Sequence, residues 1–298
     1  MIDSIVGLFT AMSLLGPTQN IAMLRPLPVA TSAAKSQPPK KRRLDSLGIQ
    51  TNSPSVFVAD LASGSVLYSK NAHDVLSIAS LTKLVTAMVW LDTKPNFEET
   101  ITFETDDFDG EGKPVFVVGE TMTKGQAIEA LLVGSVNAAG HALARTSLGV
   151  DAFVKAMNEK VQALNLVSPT FVEPTGIDPR NRANAADVAA LLSTALSYPD
   201  IRRITEHSSV TVHGRSGKDY TIASTNLLLN SFLNQKPYHI VGAKTGSLPE
   251  AGFCMAQVTS DAAGHQVVTV ILNSNNHFSR FQDIKGLTAW AFDTFQWE

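Results

Sequence analysis

Ser80 and Lys83 stand three residues apart at the start of an apolar run, and together they could do acyl-transfer chemistry. On a helix, residues i and i+3 share one face, so the two side chains would lie within reach of each other. A serine hydroxyl is a weak nucleophile that needs a base beside it. A lysine can be that base when burial and a nearby second cation favour its neutral form. The pair therefore indicates nucleophilic catalysis by serine.

Two further motifs give this pair its weight. Average composition yields about one Ser-x-x-Lys by chance in a chain of this length, but fewer than about one Lys-Thr-Gly in ten chains. Lys244-Thr245-Gly246 follows the apolar stretch 238–241, so it is predicted to end a strand, where glycine lets a ligand approach the backbone. Ser135-Val136-Asn137 falls between two helical patterns. The order of the three motifs, each in its own context, predicts one catalytic site.

Composition restricts the classes of function. The chain has 298 residues, of which 44% are hydrophobic and 17% charged, as expected for a globular protein with a sizeable core. The net charge of −3 offers no basic field for nucleic acid. The histidines are scattered and Cys254 is the one cysteine, so neither a disulfide nor a metal or other cofactor is expected. Cys254 lies in an apolar strand pattern and is predicted to be a small buried hydrophobe.

The sequence divides into residues 1–50, an apolar segment followed by a Pro/Ser/basic linker, and residues 51–298, the predicted catalytic domain. The apolar run 5–15 is too short to span a bilayer, and no Lys or Arg precedes it. With small residues at 31–34 it is compatible with a cleaved signal, an anchor or a disordered tail. The basic run 40–43 is interpreted as a solvated linker.

Strand patterns lie at both ends of the catalytic domain and helical patterns lie between them. A hairpin is predicted at 55–60 and 66–68, and three more strands at 238–244, 252–259 and 266–272. Helices are predicted at 80–91, 124–133, 138–148, 151–164, 184–196 and 280–295. This order predicts one sheet made of strands from the N- and C-terminal segments, with the helical middle forming a second lobe.

At these motifs the sequence resembles the penicillin-binding proteins and serine β-lactamases, above all the low-molecular-mass serine D-Ala-D-Ala carboxypeptidases and endopeptidases. The likeness runs from about residue 55 to residue 290. It is carried by Ile78-Ala79-Ser80-Leu81-Thr82-Lys83, Gly242-Ala243-Lys244-Thr245-Gly246, Ala251-Gly252-Phe253, and Pro174-Thr175-Gly176-Ile177 followed by Asn184-Ala185-Ala186-Asp187. The resemblance implies the α/β class: a five-stranded antiparallel sheet flanked by helices, with an inserted, mostly helical lobe, as in the β-lactamase/transpeptidase-like fold.

The resemblance also implies catalytic roles. Ser80 would be the acyl-ester nucleophile and Lys83 its general base. Ser135 would relay a proton to the leaving group, and Asn137 would hold the substrate amide. The backbone N–H groups of Ser80 and Ser247 would form the oxyanion hole.

Substrate binding is implied at the third motif. Lys244 and Thr245 would bind the terminal carboxylate of the substrate, beside Gly246. Arg280 would help them, because similar peptidases carry a basic residue there. An exposed charge at the start of a helix is the alternative interpretation of Arg280.

The resemblance implies a serine D-Ala-D-Ala carboxypeptidase or endopeptidase that acts outside the cytoplasm on peptidoglycan stem peptides, with β-lactams as covalent inhibitors. A β-lactamase is one alternative, with Glu173 as its acidic candidate for deacylation. A non-catalytic sensor of wall peptides is another. Ala138 stands where many relatives have Asp. The chain also ends at Glu298, which favours the shorter, endopeptidase-like branch and argues against C-terminal membrane attachment.

Overall fold

The computed structural model describes residues 37–46, 48–110 and 114–298. The apolar run 5–15 and the small residues 31–34, on which the signal-or-anchor interpretation rests, lie outside these ranges. Within the described ranges, none of the helices combines the length and the apolar character that crossing a bilayer requires.

The five predicted strands and six predicted helices occur in the predicted order, together with eight short strands and one short helix that the sequence patterns did not predict. The strands are β1 (Lys40–Lys41), β2 (Ser55–Asp60), β3 (Val66–Lys70), β4 (Leu76–Ser77), β5 (Thr100–Thr102), β6 (Thr121–Thr123), β7 (Arg182–Ala183), β8 (Ser209–His213), β9 (Asp219–Ala223), β10 (His239–Leu248), β11 (Gly252–Ser260), β12 (Gln266–Ser274) and β13 (Phe295–Gln296). The α-helices are α1 (Lys83–Asp92), α2 (Lys124–Val133), α3 (Asn137–Ser147), α4 (Val150–Ala163), α5 (Ala185–Ala195), α6 (Pro199–Thr205) and α7 (His277–Thr294). The predicted α/β organisation is confirmed.

The central sheet has five antiparallel strands in the order β10-β11-β12-β2-β3. The N-terminal hairpin joins the C-terminal strands through the β12–β2 pair, in which Val268 lies opposite Ala59. Strand β12 is buried on both faces because successive side chains alternate: Val267 and Ile271 pack on the α7 side, while Val268 and Val270 face the core shared with α1 and α5. A sheet covered by helices on both faces results.

Helix α1 lies at the centre of the larger core. Residues 83–90 are all buried, as the absence of a polar face in the sequence predicts, and Trp90 is fully buried. Helix α2 has the predicted bounds. Thr123 and Gln126 form a reciprocal capping box, which fixes the start of the helix. Asn184 caps α5 by accepting a hydrogen bond from the backbone N–H of Asp187. The helical lobe therefore places the turn between α2 and α3 beside the start of α1.

The predicted linker partly joins the fold. Strand β1 pairs with β13, and Lys40 and Glu298 form an exposed ion pair of 2.6 Å. Arg43 forms another with Asp293, at 2.7 Å. The basic run is thus solvated, as predicted, but it is also anchored to the C-terminal segment. The domain boundary at residue 50/51 stays a prediction.

Candidate active site

Ser80 lies in a 3₁₀ turn, Ala79–Thr82, that leads into α1. The α-helix itself begins at Lys83, so Ser80 stands just ahead of it and not in its first turn as expected. Ala79 adopts φ 47°, a conformation that a residue with a side chain rarely takes. Its carbonyl accepts a hydrogen bond from Thr82 Oγ1 at 2.8 Å, and Gly176 packs so closely on it that a Cβ there would overlap the oxygen. Tertiary contacts thus fix the strained turn that presents Ser80.

Lys83 is fully buried behind Ser80. Its Nζ lies 2.9 Å from Ser80 Oγ, 2.6 Å from Asn137 Oδ1 and 2.7 Å from the carbonyl oxygen of Thr175. The Asn137 and Thr175 oxygens are acceptors only, so they take two N–H groups of the lysine. Once the amine is neutral, its lone pair is left facing the hydroxyl of Ser80. This arrangement suits Lys83 to take the serine proton.

Ser135 forms the turn between α2 and α3, and Asn137 is the first residue of α3, as the second motif predicts. Ser135 adopts φ 59°, so this serine also sits in a conformation unusual for a side-chain-bearing residue. Its Oγ accepts a hydrogen bond from Lys244 Nζ at 2.8 Å. The two motif serines are therefore each paired with a lysine.

Lys244 is buried on β10, with 1% of its surface exposed. Besides Ser135, its Nζ contacts the carbonyl oxygen of Thr245 at 2.9 Å. Burial lowers the pKa of Lys244 well below its usual value, and the positive charges of Lys83 and Arg280 lower it further. Lys83 and Lys244 are therefore close enough to influence each other electrostatically.

Strand β10 runs directly beside the Ser80 turn because Gly246 has no side chain. A Cβ on Gly246 would stand 2.8 Å from the carbonyl oxygen of Ile78 and 3.0 Å from the amide nitrogen of Ser80. Beyond it, Ser247 is exposed and pairs with Phe253 of β11. The amides of Ser80 and Ser247 consequently belong to two segments held in contact by a glycine.

A small cavity of about 90 Å³ opens in front of Ser80. It is lined by Ser80, Ser135, Thr225, Thr245, Gly246, Ser247 and Arg280. All three motifs thus meet at one site, with Lys83, Asn137 and Lys244 outside the cavity lining. Thr225 was missed from the sequence; it follows β9, and its Oγ1 accepts a hydrogen bond from Thr245 Oγ1 at 2.6 Å. No motif marks it, since only the fold brings it to β10.

Arg280 is 4% exposed, so its interpretation as an exposed surface charge is wrong. Its Nη1 donates to the carbonyl of Gly246 at 3.0 Å, and the guanidinium lies over the rings of Phe253 and Phe281. Burial lowers the pKa of Arg280 to about 10. Among the described residues no carboxylate forms an ion pair with it, and its Nε has no hydrogen-bond partner there. A buried cation without a counter-charge favours an anionic ligand in the cavity.

The carboxylate of Glu173 is used to hold its own loop together. Its carboxylate accepts hydrogen bonds from the backbone N–H of Thr175 at 2.7 Å, from Gly176, and from Asn181 Nδ2 at 2.7 Å. These bonds shape the loop whose Thr175 carbonyl holds Lys83. The carboxylate is engaged within its own loop, which disfavours the β-lactamase interpretation of this residue.

Cys254 is fully buried, as predicted, and burial raises the pKa of its thiol to about 11. A reactive thiol needs the opposite shift, since the thiolate is the nucleophile. In the described ranges, no group of His, Cys, Asp and Glu side chains could hold a metal ion.

Residues 37–276 match the family model described as D-alanyl-D-alanine carboxypeptidase. The chain belongs to this family. A D-alanyl-D-alanine endopeptidase of Pseudomonas aeruginosa is 34% identical over 276 residues, which are 91% of this chain and 86% of the relative. This similarity confirms the predicted family and the low-molecular-mass penicillin-binding class.

Solved structures share the fold. The crystal structure of the Streptomyces K15 DD-transpeptidase is 24% identical, with a TM-score of 0.76, over 83% of this chain and 100% of that one. Penicillin-binding protein D2 from Listeria monocytogenes, in its ampicillin-bound form, is 26% identical, with a TM-score of 0.71, over 83% and 100%. The predicted transpeptidase-like fold is confirmed.

Proposed function

We propose that this protein is a serine DD-peptidase that hydrolyses the bond after a D-Ala residue in peptidoglycan stem peptides. The observation that carries the proposal is the placement of Ser80 Oγ 2.9 Å from Lys83 Nζ, at the wall of a cavity that Arg280 also lines. Family membership and the relative named an endopeptidase support the same activity.

In the acylation step, Ser80 Oγ attacks the carbonyl carbon of D-Ala while its proton passes to Lys83 Nζ. The developing oxyanion accepts hydrogen bonds from the N–H groups of Ser80 and Ser247. As the C–N bond breaks, the leaving amine takes a proton from Ser135 Oγ, which is replenished from Lys244 Nζ, 2.8 Å away. In deacylation, water attacks the ester carbonyl carbon and gives a proton through Ser135 to Lys244. The C–O bond to Ser80 then breaks as Ser80 Oγ takes back the proton held by Lys83, so each group regains its starting protonation state.

Substrate orientation follows from the remaining polar groups. The Arg280 guanidinium, in the cavity lining, donates to the carboxylate of the residue after the scissile bond; Thr245 Oγ1 joins it by turning its single proton from Thr225 Oγ1 to the carboxylate and accepting from the Thr225 hydroxyl in return. Lys244 is too enclosed to serve as the primary carboxylate ligand, so its role is to support Ser135 and to raise the local positive potential. Asn137 orients Lys83 through Oδ1 and offers Nδ2 to a substrate carbonyl.

Two further proposals depend on this chemistry. β-Lactams acylate Ser80 in the same way as the peptide, an idea supported by the ampicillin-bound form of the Listeria relative. The protein acts outside the cytoplasm, where stem peptides of the cell wall lie.

The test is covalent labelling by a fluorescent penicillin combined with mass spectrometry of digested muropeptides. Ser80→Ala is expected to abolish labelling and product formation, and Lys83→Ala to slow acylation by about two orders of magnitude or more. Ser208→Ala, which changes an exposed hydroxyl that does not line the cavity, is the matched control. Labelling of the Ser80→Ala protein would overturn the assignment of the nucleophile, and rapid hydrolysis of the penicillin would favour a β-lactamase.

A further inference from the structure

His277, the first residue of α7, lies beside the arginine of the catalytic cavity. Its Nδ1 is 3.5 Å from Nη2 of Arg280, which stands three residues further along the helix and therefore on the same face. None of the three sequence motifs predicts this histidine, and it does not line the cavity itself. It is connected to the cavity through Arg280.

Two phenylalanines pack against both side chains. Phe253 of β11 and Phe281 of α7 have their ring centres 5.4 Å and 4.7 Å from the Arg280 guanidinium. The same two ring centres lie 5.7 Å and 5.4 Å from the centre of the His277 ring, and both contacts are edge-to-face. Because close packing transmits small displacements, the imidazole and the guanidinium are positioned together by one aromatic cluster.

Arg280 donates hydrogen bonds from both ends of its guanidinium. Nη1 donates to the carbonyl oxygen of Gly246 at 3.0 Å, and Nη2 donates to Nδ1 of His277 when the imidazole carries its proton on Nε2. Each Nη group has two N–H bonds, so one on each stays available for a carboxylate ligand. Both acceptors are uncharged and orient the guanidinium without neutralising it. A carboxylate at position 277 would instead compete with the ligand for the charge.

The proton state of His277 decides whether it can accept this hydrogen bond. Partial burial lowers the pKa of His277, and the charge of Arg280 lowers it further. The positive end of the α7 dipole also opposes protonation. Lys244 on β10 and Cys254 on β11 are further titratable groups that interact with Arg280, and burial raises the pKa of the Cys254 thiol to about 11. At neutral pH the imidazole is therefore uncharged, and its Nδ1 can act as an acceptor.

We propose that His277 is a positioning residue: as a neutral imidazole it fixes the guanidinium of Arg280, so that Arg280 binds the substrate carboxylate. The inference rests on the proposed function, in which Arg280 holds this carboxylate. A protonated imidazole cannot accept the hydrogen bond and places a second cation beside the first, so the guanidinium is no longer held on that side. His277 therefore controls the affinity for the carboxylate and not the chemistry at Ser80.

Two substitutions separate the hydrogen bond from the packing. His277→Phe keeps an aromatic ring against Phe253 and Phe281 but removes the acceptor. His277→Asn gives up the ring but offers an amide oxygen close to the position of Nδ1. His73→Phe makes the same change at an exposed histidine that does not line the cavity, and it is the matched control.

Each protein is assayed on a D-Ala-D-Ala peptide for KM and kcat, and thermal unfolding monitors the fold. A ¹⁵N NMR titration of the His277 ring in the unaltered protein supplies its tautomer and its pKa. The kinetic constants are then compared above and below that pKa.

His277→Phe is expected to raise KM by about three- to fivefold while kcat stays within about twofold, because one weak hydrogen bond that orients a binding group is lost. His277→Asn is expected to restore most of the affinity, and the control to match the unaltered protein. In the unaltered protein KM is expected to rise as the pH falls through the His277 pKa, and neither variant at this position should share that rise. The NMR signals are expected to place the proton of the neutral ring on Nε2.

Four results would overturn the inference and leave the proposed function in place. They are a His277→Asn protein as impaired as the His277→Phe protein, a His277→Phe protein with unchanged KM, a neutral ring with its proton on Nδ1, and a KM that falls on acidification. The last would make the imidazolium a second ligand of the carboxylate. An unaltered protein that neither labels with penicillin nor hydrolyses the peptide overturns both proposals, since no substrate carboxylate would then need to be held.

Discussion

Gly246 lies so close to Ser80 that a Cβ on the glycine would stand 3.0 Å from the amide nitrogen of Ser80. This contact sets the separation between the nucleophile's turn and the strand that carries Thr245 and Ser247. The glycine of the third motif is therefore needed for the geometry of the site as well as for access by a ligand.

Gly246→Ala is expected to lower the rate of penicillin acylation by about 100-fold, because moving β10 from Ser80 by a fraction of an ångström separates the two oxyanion donors. Stopped-flow acylation measures the rate, and thermal unfolding monitors the fold. A variant that unfolds at the normal temperature and still acylates at the normal rate contradicts this role.

Thr225→Val is expected to reduce kcat/KM for the peptide by about three- to tenfold, since Thr245 Oγ1 loses the hydroxyl partner that orients it while it donates to the substrate carboxylate. Thr225→Ser keeps the hydroxyl and is expected to restore most of the activity. Steady-state kinetics on a D-Ala-D-Ala peptide separates the two. If the serine variant is as impaired as the valine variant, the hydroxyl is not what matters at this position.

Arg280→Gln is expected to raise KM for a carboxylate-bearing peptide by about tenfold or more, because the substrate loses one charge-assisted hydrogen bond. It also removes one of the positive charges that lower the pKa of Lys244, so that pKa rises. Lys244, which supplies the proton for the leaving amine, then keeps that proton to a higher pH, so the basic limb of the acylation profile should move upward. Arg280→Lys keeps a charge and should leave the limb nearly in place; an unmoved limb in the glutamine variant argues against the coupling.

Glu120→Gln tests the support of the β8–β9 hairpin, whose loop contacts Glu120. Burial alone would raise the pKa of Glu120, but hydrogen bonds from Ser216, Tyr220 and the backbone of Thr121 lower it to about 2. A depressed folded-state pKa stabilises the protein above the unfolded value near 4.5 and loses this contribution as the pH falls through about 2.

The variant is therefore expected to lose about 2 kcal/mol of unfolding free energy at pH 7, with a smaller deficit as the pH falls below about 4.5. Urea unfolding across that range measures the deficit. A deficit that is constant with pH would mean that the charge of Glu120 contributes nothing.

The sequence predicted those parts of the fold whose signals are local. Helix α2 had an amphipathic pattern, α5 had Asn184 as its cap, and β11 and β12 had a polar turn between two apolar runs. The hairpin of β8 and β9 was not predicted, although its alternating buried and exposed residues are visible in hindsight at 209–213 and 219–223.

The site was predictable in its members but not in its pairings. The motifs identified Ser80, Lys83 and Lys244 as site residues from their types and spacing. The contact of Lys244 with Ser135, by contrast, depends on how β10 packs against the α2–α3 turn. The left-handed backbone at Ala79 and Ser135 had no signal either, because neither residue is a glycine. Strain of this kind is maintained by distant contacts, and a local pattern cannot record it.

The pairing of β2 with β12 has a consequence for how the enzyme comes into being. The two strands are joined in the sheet although about two hundred residues separate them, so a chain growing from its N-terminus cannot complete the sheet until β12 has been made. Lys244 and Gly246 lie only just upstream of β12, so the catalytic machinery assembles near the end of synthesis. The growing polypeptide remains inert until then, and its activity begins with folding of the whole domain.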